Sequence, residues 1–203
     1  LESADFLNEE SRDTIKCSQQ ACERGREIIR EIASIRGGRK AKMKNKLDLP
    51  EIIRKTVHFS LFDYDRVQPV FNFERVLSSV MGDEERIRQM INCLVGNAAE
   101  VMSESGIRNG RIIIDGSNVV IDEESLLPLS LGDYVHLTFR DNGPKLTDSE
   151  IDQIFDPYFS RDKSVRGFGL SRVASICRSH NGYISVNSGE DGGAFFELYL
   201  PAN

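Results

Sequence analysis

The order of features between Tyr134 and Leu170 constrains this chain more than anything else in it. An alternating run sets Val135, Leu137 and Phe139 against His136, Thr138 and Arg140, which predicts a half-buried strand. The strand ends at Asp141-Asn142-Gly143-Pro144, a tight turn with one carboxylate at its rim. A short amphipathic helix follows, from Thr147 to Ile154, and then the aromatic cluster Phe155-Asp156-Pro157-Tyr158-Phe159. A polar, basic segment from Ser160 to Arg166 leads into Gly167-Phe168-Gly169-Leu170, which opens another helix. Each piece alone is common. In this order, a carboxylate at a strand end, a lid and a glycine-rich helix start point to a nucleotide site. Free N–H groups at a helix start suit phosphates, and a buried Asp can accept from the exocyclic amine of adenine.

The rest of the chain alternates helices and strands. From Ser11 to Ile35 a narrow seam (Ile15, Ser18, Cys22, Gly25, Ile29, Ile32) predicts a long helix of bundle or coiled-coil type, stopped by Gly37-Gly38. The basic run Arg39 to Lys46 reads as a solvated linker before it reads as a contact for an acidic partner. Asp48 or Leu49 then caps a second helix with Pro50 in its first turn and Ile52, Ile53 and Val57 inward. Val67 to Phe73 is an expected strand that Pro69 assigns to an edge or a strand start. Asp83 caps a helix running to about Met102, with Ile87, Met90, Ile91, Leu94, Val95 and Ala98 toward a core and polar Asn97 behind them. A strand from Arg111 to Val120, a surface excursion from Asp122 to Gly132, a helix from Leu170 to Arg178 and a closing hairpin turning at Asp191-Gly192-Gly193 complete the pattern. This favours a two-layer α+β sandwich over a doubly wound parallel sheet.

A length of 203 residues allows one good core and an appendage, and a net charge of −6 favours neither disorder nor nucleic-acid binding. No apolar run reaches membrane-spanning length and no signal peptide is evident, so no membrane contact is expected of this chain. Cys17, Cys22, Cys93 and Cys177 form no CxxC pair and read as reduced thiols of a cytoplasmic protein. The start at Leu1 rather than Met suggests a fragment, with sequence missing upstream.

Several of these runs together resemble a known family. Arg88-Gln89-Met90-Ile91-Asn92-Cys93-Leu94-Val95-Gly96-Asn97-Ala98-Ala99-Glu100 looks like the asparagine box of sensor histidine kinases. Asp141-Asn142-Gly143-Pro144 resembles their first glycine box, Phe155 to Phe159 the phenylalanine box, and Gly167-Phe168-Gly169-Leu170 the second glycine box. The tail from His180-Asn181-Gly182 to Leu200-Pro201 is similar to the family's closing hairpin, and Ile15 to Ile35 to the second helix of its dimerisation and phosphotransfer hairpin. The resemblance implies a Bergerat-type sandwich, with a mixed, mostly antiparallel sheet and helices on one face, preceded by a long helix. Residues 1–46 would be a partial dimerisation helix and linker, and residues 47–203 the ATP-binding catalytic domain. The activity implied is transfer of the γ-phosphoryl group of ATP to a histidine on the hairpin. The implied partners are a second copy, joined through that hairpin in the parent protein, and a response-regulator receiver domain.

Carried over by position, Asn97 would ligand Mg²⁺, and Asp141 would take the adenine amine with Gly143 allowing close approach. Gly167 and Gly169 would let a lid close on the phosphates, with the N–H groups near Leu170 facing them. Arg161, Lys163 or Arg166 would neutralise the γ-phosphate, although singly each also reads as a solvated loop residue. The sequence departs from the family pattern at four places. Cys93 stands where a second asparagine is usual, and Asn92, about 100° around the helix, does not replace it. Lys145 replaces a glycine of the first box, adding either bulk or a phosphate contact. Val165 replaces a glycine of the second box, and Ala194 a threonine near the adenine-contacting carboxylate. None of His58, His136 and His180 fits the family's acceptor, so no catalytic acceptor is expected within these residues. The alternative is a degenerate domain serving in dimerisation or regulator docking. An ATPase of the gyrase and MutL branch would need a glutamate base at the position of Cys93. An anti-sigma-type serine kinase shares the sandwich, but the upstream helix favours the sensor kinases.

Overall fold

The computed structural model describes residues 45–156, 169–189 and 192–203. The expected helix over 11–35, the basic run up to Lys44, and the lid residues Pro157 to Phe168 lie outside them. The described residues fall within one unit, Met43–Asn203.

In chain order the elements are β1 (Asn45–Leu47), α1 (Leu49–Ser60), β2 (Val67–Phe73), β3 (Val80–Gly82), α2 (Glu84–Glu104), β4 (Gly110–Ile121), β5 (Gly132–Asp141), α3 (Asp148–Gln153), α4 (Gly169–Ser179), β6 (Tyr183–Ser188) and β7 (Ala194–Pro201). Five strands form a mixed sheet in the order β2-β4-β5-β7-β6. Only β2 and β4 are parallel within it; the other neighbouring pairs are antiparallel. This is the expected α+β sandwich, with the Tyr134–Arg140 run inside the central strand and Pro69 on an edge strand, where its missing N–H costs no ladder bond.

Period-two alternation gives the sheet one apolar face. Ile112, Ile114, Val135, Leu137, Phe139, Phe196, Leu198 and Leu200 are each at most 3% exposed. The helices cover that face with Ile53 and Val57 of α1, Ile87, Met90 and Ile91 of α2, and Val173 of α4. The opposite face is polar: Asp115, Thr138 and Glu197 lie side by side in register. There the Asp115 carboxylate accepts from Asn72 Nδ2 (2.8 Å), Thr138 Oγ1 (3.0 Å) and Arg140 Nη2 (3.2 Å).

The helix starts are written locally. Asp48 caps α1, its carboxylate accepting from the Glu51 N–H at 3.2 Å, and Pro50 sits in the first turn. Asp83 caps α2 through the Glu85 and Arg86 N–H groups, and Thr147 with Glu150 forms a capping box on α3. One expectation needs correcting. The basic run does not remain linker to its end, because Asn45 and Lys46 pair with Gly82 and Met81 in a second, two-stranded antiparallel sheet. That pairing buries Leu47, which is 2% exposed. A three-residue strand is too short to leave a periodic signature, so neither β1 nor β3 was visible in the pattern.

Candidate nucleotide site

The site is best built outward from Asp141, the last residue of β5. Its Oδ1 accepts from the Gly143 N–H at 2.7 Å and its Oδ2 from the Ala194 N–H at 3.2 Å. Two glycines make room for this arrangement. A Cβ on Gly143 would lie 2.6 Å from Asp141 Oδ1, and one on Gly193 would lie 2.5 Å from the same oxygen and collide with the Asp141 carbonyl. Gly193 also adopts φ 72°, in the left-handed region that side chains avoid. The carboxylate is thus oriented by the turn after β5 and by the first residue of β7. The neighbouring Asn142 faces the other way. It accepts from the Arg111 N–H at 2.7 Å and donates to the Asn109 carbonyl at 3.0 Å, tying the start of β4 to the end of β5.

The same turn reaches the core helix. A Cβ on Gly143 would come within 3.4 Å of Met102 Cγ on α2, five residues and so about 7.5 Å along the helix from Asn97. Asn97 is half-buried, between core residues Val95 and Ala98. Cys93, one turn earlier, is also half-buried. Asn92 is exposed and its Oδ1 accepts from Ser60 Oγ at 2.7 Å, so its amide is engaged with α1.

The remaining candidates divide. Lys145 is exposed after the turn, and the next residue, Leu146, is buried with its N–H donating to Ser188 Oγ at 3.2 Å. Phe155 returns to the core edge-on to Phe196, with ring centroids 6.3 Å apart. Gly169 opens α4 and is exposed, and Leu170 behind it packs into the core at 8% exposure. α4 packs on α2. Arg161, Lys163, Val165, Arg166 and Gly167 lie outside the described residues. Asn97, Asp141, Gly143 and the start of α4 are therefore carried by adjoining elements. The resemblance set Ala194 near the carboxylate, but the sequence did not show that its backbone amide holds Asp141 or that Gly193 makes room for this. The only local signal was a pair of consecutive glycines, which reads equally as a plain hairpin turn.

Among the described residues no cluster of three or more His, Cys, Asp or Glu side chains is suited to hold a metal ion. Magnesium fits such a donor-poor site only when phosphates and water complete its shell around one or two protein oxygens. Half-buried Asn97 carries an amide oxygen, a donor of that chemical class.

Comparison with known proteins shows the family and the fold. Residues 82–203 match the family described as histidine kinase-, DNA gyrase B-, and HSP90-like ATPase. The chain is 28% identical over 160 residues to the sensor histidine kinase ZraS of Klebsiella oxytoca, covering 77% of this chain and 31% of that protein. It is 28% identical over 127 residues to the sensor histidine kinase TmoS of Ectopseudomonas mendocina, covering 63% of this chain and 12% of the relative. The chain thus spans less than a third of the length of these relatives. Among solved structures, the catalytic domain of the histidine kinase ThkA is 25% identical with a TM-score of 0.61, covering 78% of this chain and 95% of that one. A mycobacterial sensor histidine kinase, MprB, shares the fold at 18% identity and a TM-score of 0.63, over 79% of this chain and 98% of its own.

Proposed function

The chain belongs to the family of histidine kinase-, DNA gyrase B- and HSP90-like ATPases, and from that premise we propose that the part from β1 onward is the ATP-binding catalytic domain of a two-component sensor histidine kinase. The observation that carries the reading is the Asp141 carboxylate, held by the Gly143 and Ala194 amides at the end of the central strand. In this role Asp141 accepts from the adenine amine, and the glycines beside it admit the base. Asn97 offers its amide oxygen to Mg²⁺, which when bound neutralises charge on the phosphate oxygens. The N–H groups at Gly169 and Leu170 donate to phosphate, Lys145 adds a phosphate contact, Arg161, Lys163 or Arg166 neutralises the γ-phosphate, and Gly167 with Gly169 permits closure on the nucleotide.

The acceptor is supplied from elsewhere in the parent protein. His180 is buried with both ring nitrogens engaged, His136 is stacked on Tyr199 at 4.3 Å within the sheet, and His58 lies beside Phe71 at 5.8 Å. The transfer breaks the bond between the γ-phosphorus and its bridging oxygen and forms a P–N bond to a histidine on a dimerisation hairpin. A receiver domain is then the onward partner of the dimeric parent. No described helix is long and apolar enough to cross a membrane; a cytoplasmic place for this domain is part of the proposal.

Calorimetric titration tests the reading. ATP should bind more tightly with Mg²⁺ than without it, and GTP, which lacks an amine at the purine 6-position, should bind at least about tenfold more weakly. Asp141→Asn cannot accept from both backbone amides and the base, so it should lose nucleotide affinity together with some stability. Absence of heat and of any thermal shift at millimolar ATP would sink the kinase reading and leave the scaffold alternative.

A further inference from the structure

One buried side chain outside the site joins the two helices that build it. His180 follows directly on α4 and is 5% exposed. Its Nδ1 lies 2.9 Å from the Ile176 carbonyl oxygen, which can only accept, so the ring proton sits on Nδ1. The bare Nε2 accepts from the Asp83 N–H at 3.1 Å. Asp83 is the N-cap of α2, so the imidazole closes the end of one helix onto the start of the other. Ser179 adds an outer tie: its Oγ accepts from Arg86 Nη1 at 3.3 Å and donates to the Ile176 carbonyl at 2.7 Å.

The same ring touches the small sheet. A Cβ on Gly82 would lie 2.8 Å from His180 Cδ2, 2.9 Å from Nε2 and 3.1 Å from Leu47 Cδ1. Gly82 is therefore the gap through which β3, β1 and the imidazole meet. From this point α2 runs to Asn97. α4, with 11 residues, runs back to Gly169 over about 16 Å. A helix is stiff over three turns, so a shift where His180 holds α4 reappears at its first amides.

We propose that His180 is a positioning residue: it sets α4 axially against α2, and so places the Gly169 and Leu170 amides relative to Asn97, with β1 as the strand that bears on the latch. The inference rests on the nucleotide reading for its consequence but not for its geometry. Three variants separate the roles. His180→Phe keeps the bulk and removes the acceptor, and His180→Gln keeps an acceptor near the Nε2 position. Gly82→Ala presses on the ring without touching the histidine, and it carries the test if the Phe variant does not fold.

Amide exchange on the nucleotide-free chain is the first readout. Loosening the latch should speed exchange at Val173 and Ala174, the amides that bond back to the Gly169 and Leu170 carbonyls at the start of α4, by about tenfold in His180→Phe and Gly82→Ala, with His180→Gln near the parent. The dissociation constant for Mg·ATP should rise in the same order. The proposal is overturned if the Phe variant leaves exchange at the start of α4 unchanged. It is equally overturned if Gln behaves as Phe, or if Ile53→Val, a core control in α1, accelerates those amides as much. Should the parent chain bind no ATP, the nucleotide reading fails, while exchange at α4 still decides whether the latch exists.

Discussion

At the scale of single residues, the site depends on how one carboxylate is held. Asp141 has two backbone donors because Gly143 and Gly193 leave room for them. Gly193→Ala would impose a left-handed backbone on a residue with a Cβ and drive that Cβ into Asp141. We expect it to cost about 1–3 kcal/mol in a urea titration and to weaken Mg·ATP binding more than Gly106→Ala does, since Gly106 has a similar φ of 69° but open space around it. Equal effects of the two substitutions would count against the clamp. His136 makes a second residue-scale case. Burial lowers its pKa from the ordinary 6.5, against the opposing pull of Glu197 and Asp115. Its Nε2 lies 3.3 Å from Glu197 Oε1 but has no aligned hydrogen-bond partner. The unfolded chain therefore takes up this proton first as pH falls. The stability concerned is fully present above the unfolded value and is lost as pH falls through the lower, folded one. His136→Gln should flatten the change in urea midpoint between about pH 7.5 and 5.5. Matching slopes in variant and parent would dismiss the effect.

At the scale of elements, α2 is the member whose placement matters most, since it carries Asn97 and packs on both α1 and α4. Its start is fixed by Asp83, whose side chain takes the Glu85 N–H at 3.1 Å and the Arg86 N–H at 3.4 Å. Asp83→Ala should lower stability by about 1 kcal/mol, and Asp83→Asn by only a few tenths, because Asn caps as well as Asp does. Urea unfolding of both variants checks this, and an equal loss would mean that charge rather than capping is at work. The caps were legible because each is a local pattern of two or three residues. β1 and β3 were not, since their pairing is between segments far apart and their side chains carry no period.

At the scale of the whole molecule, the apolar face of the sheet and three helices form one core, and its opening should be cooperative. Cys177 lies in that core at 0% exposure, with its thiol pushed up to about 12 by burial. Leu137→Ala, at the middle of the central strand, should cost about 2–5 kcal/mol and accelerate alkylation of Cys177 in parallel, followed by peptide mass spectrometry. Rapid modification of Cys177 in the untreated parent chain would contradict a single core. The sequence alone determined the strand order's raw material. The alternation of Val135, Leu137 and Phe139, the caps of α1 and α2, the edge proline, and Asp141 beside Gly143 are all contacts between near neighbours in the chain. Only the tertiary structure decided that Ala194, 53 residues on, gives its amide to Asp141. It alone set His180, 97 residues on, against the Asp83 N–H, and Leu47 against Gly82. Such contacts are chosen by which surfaces are buried together, and burial is a property of the packed chain rather than of any window along it.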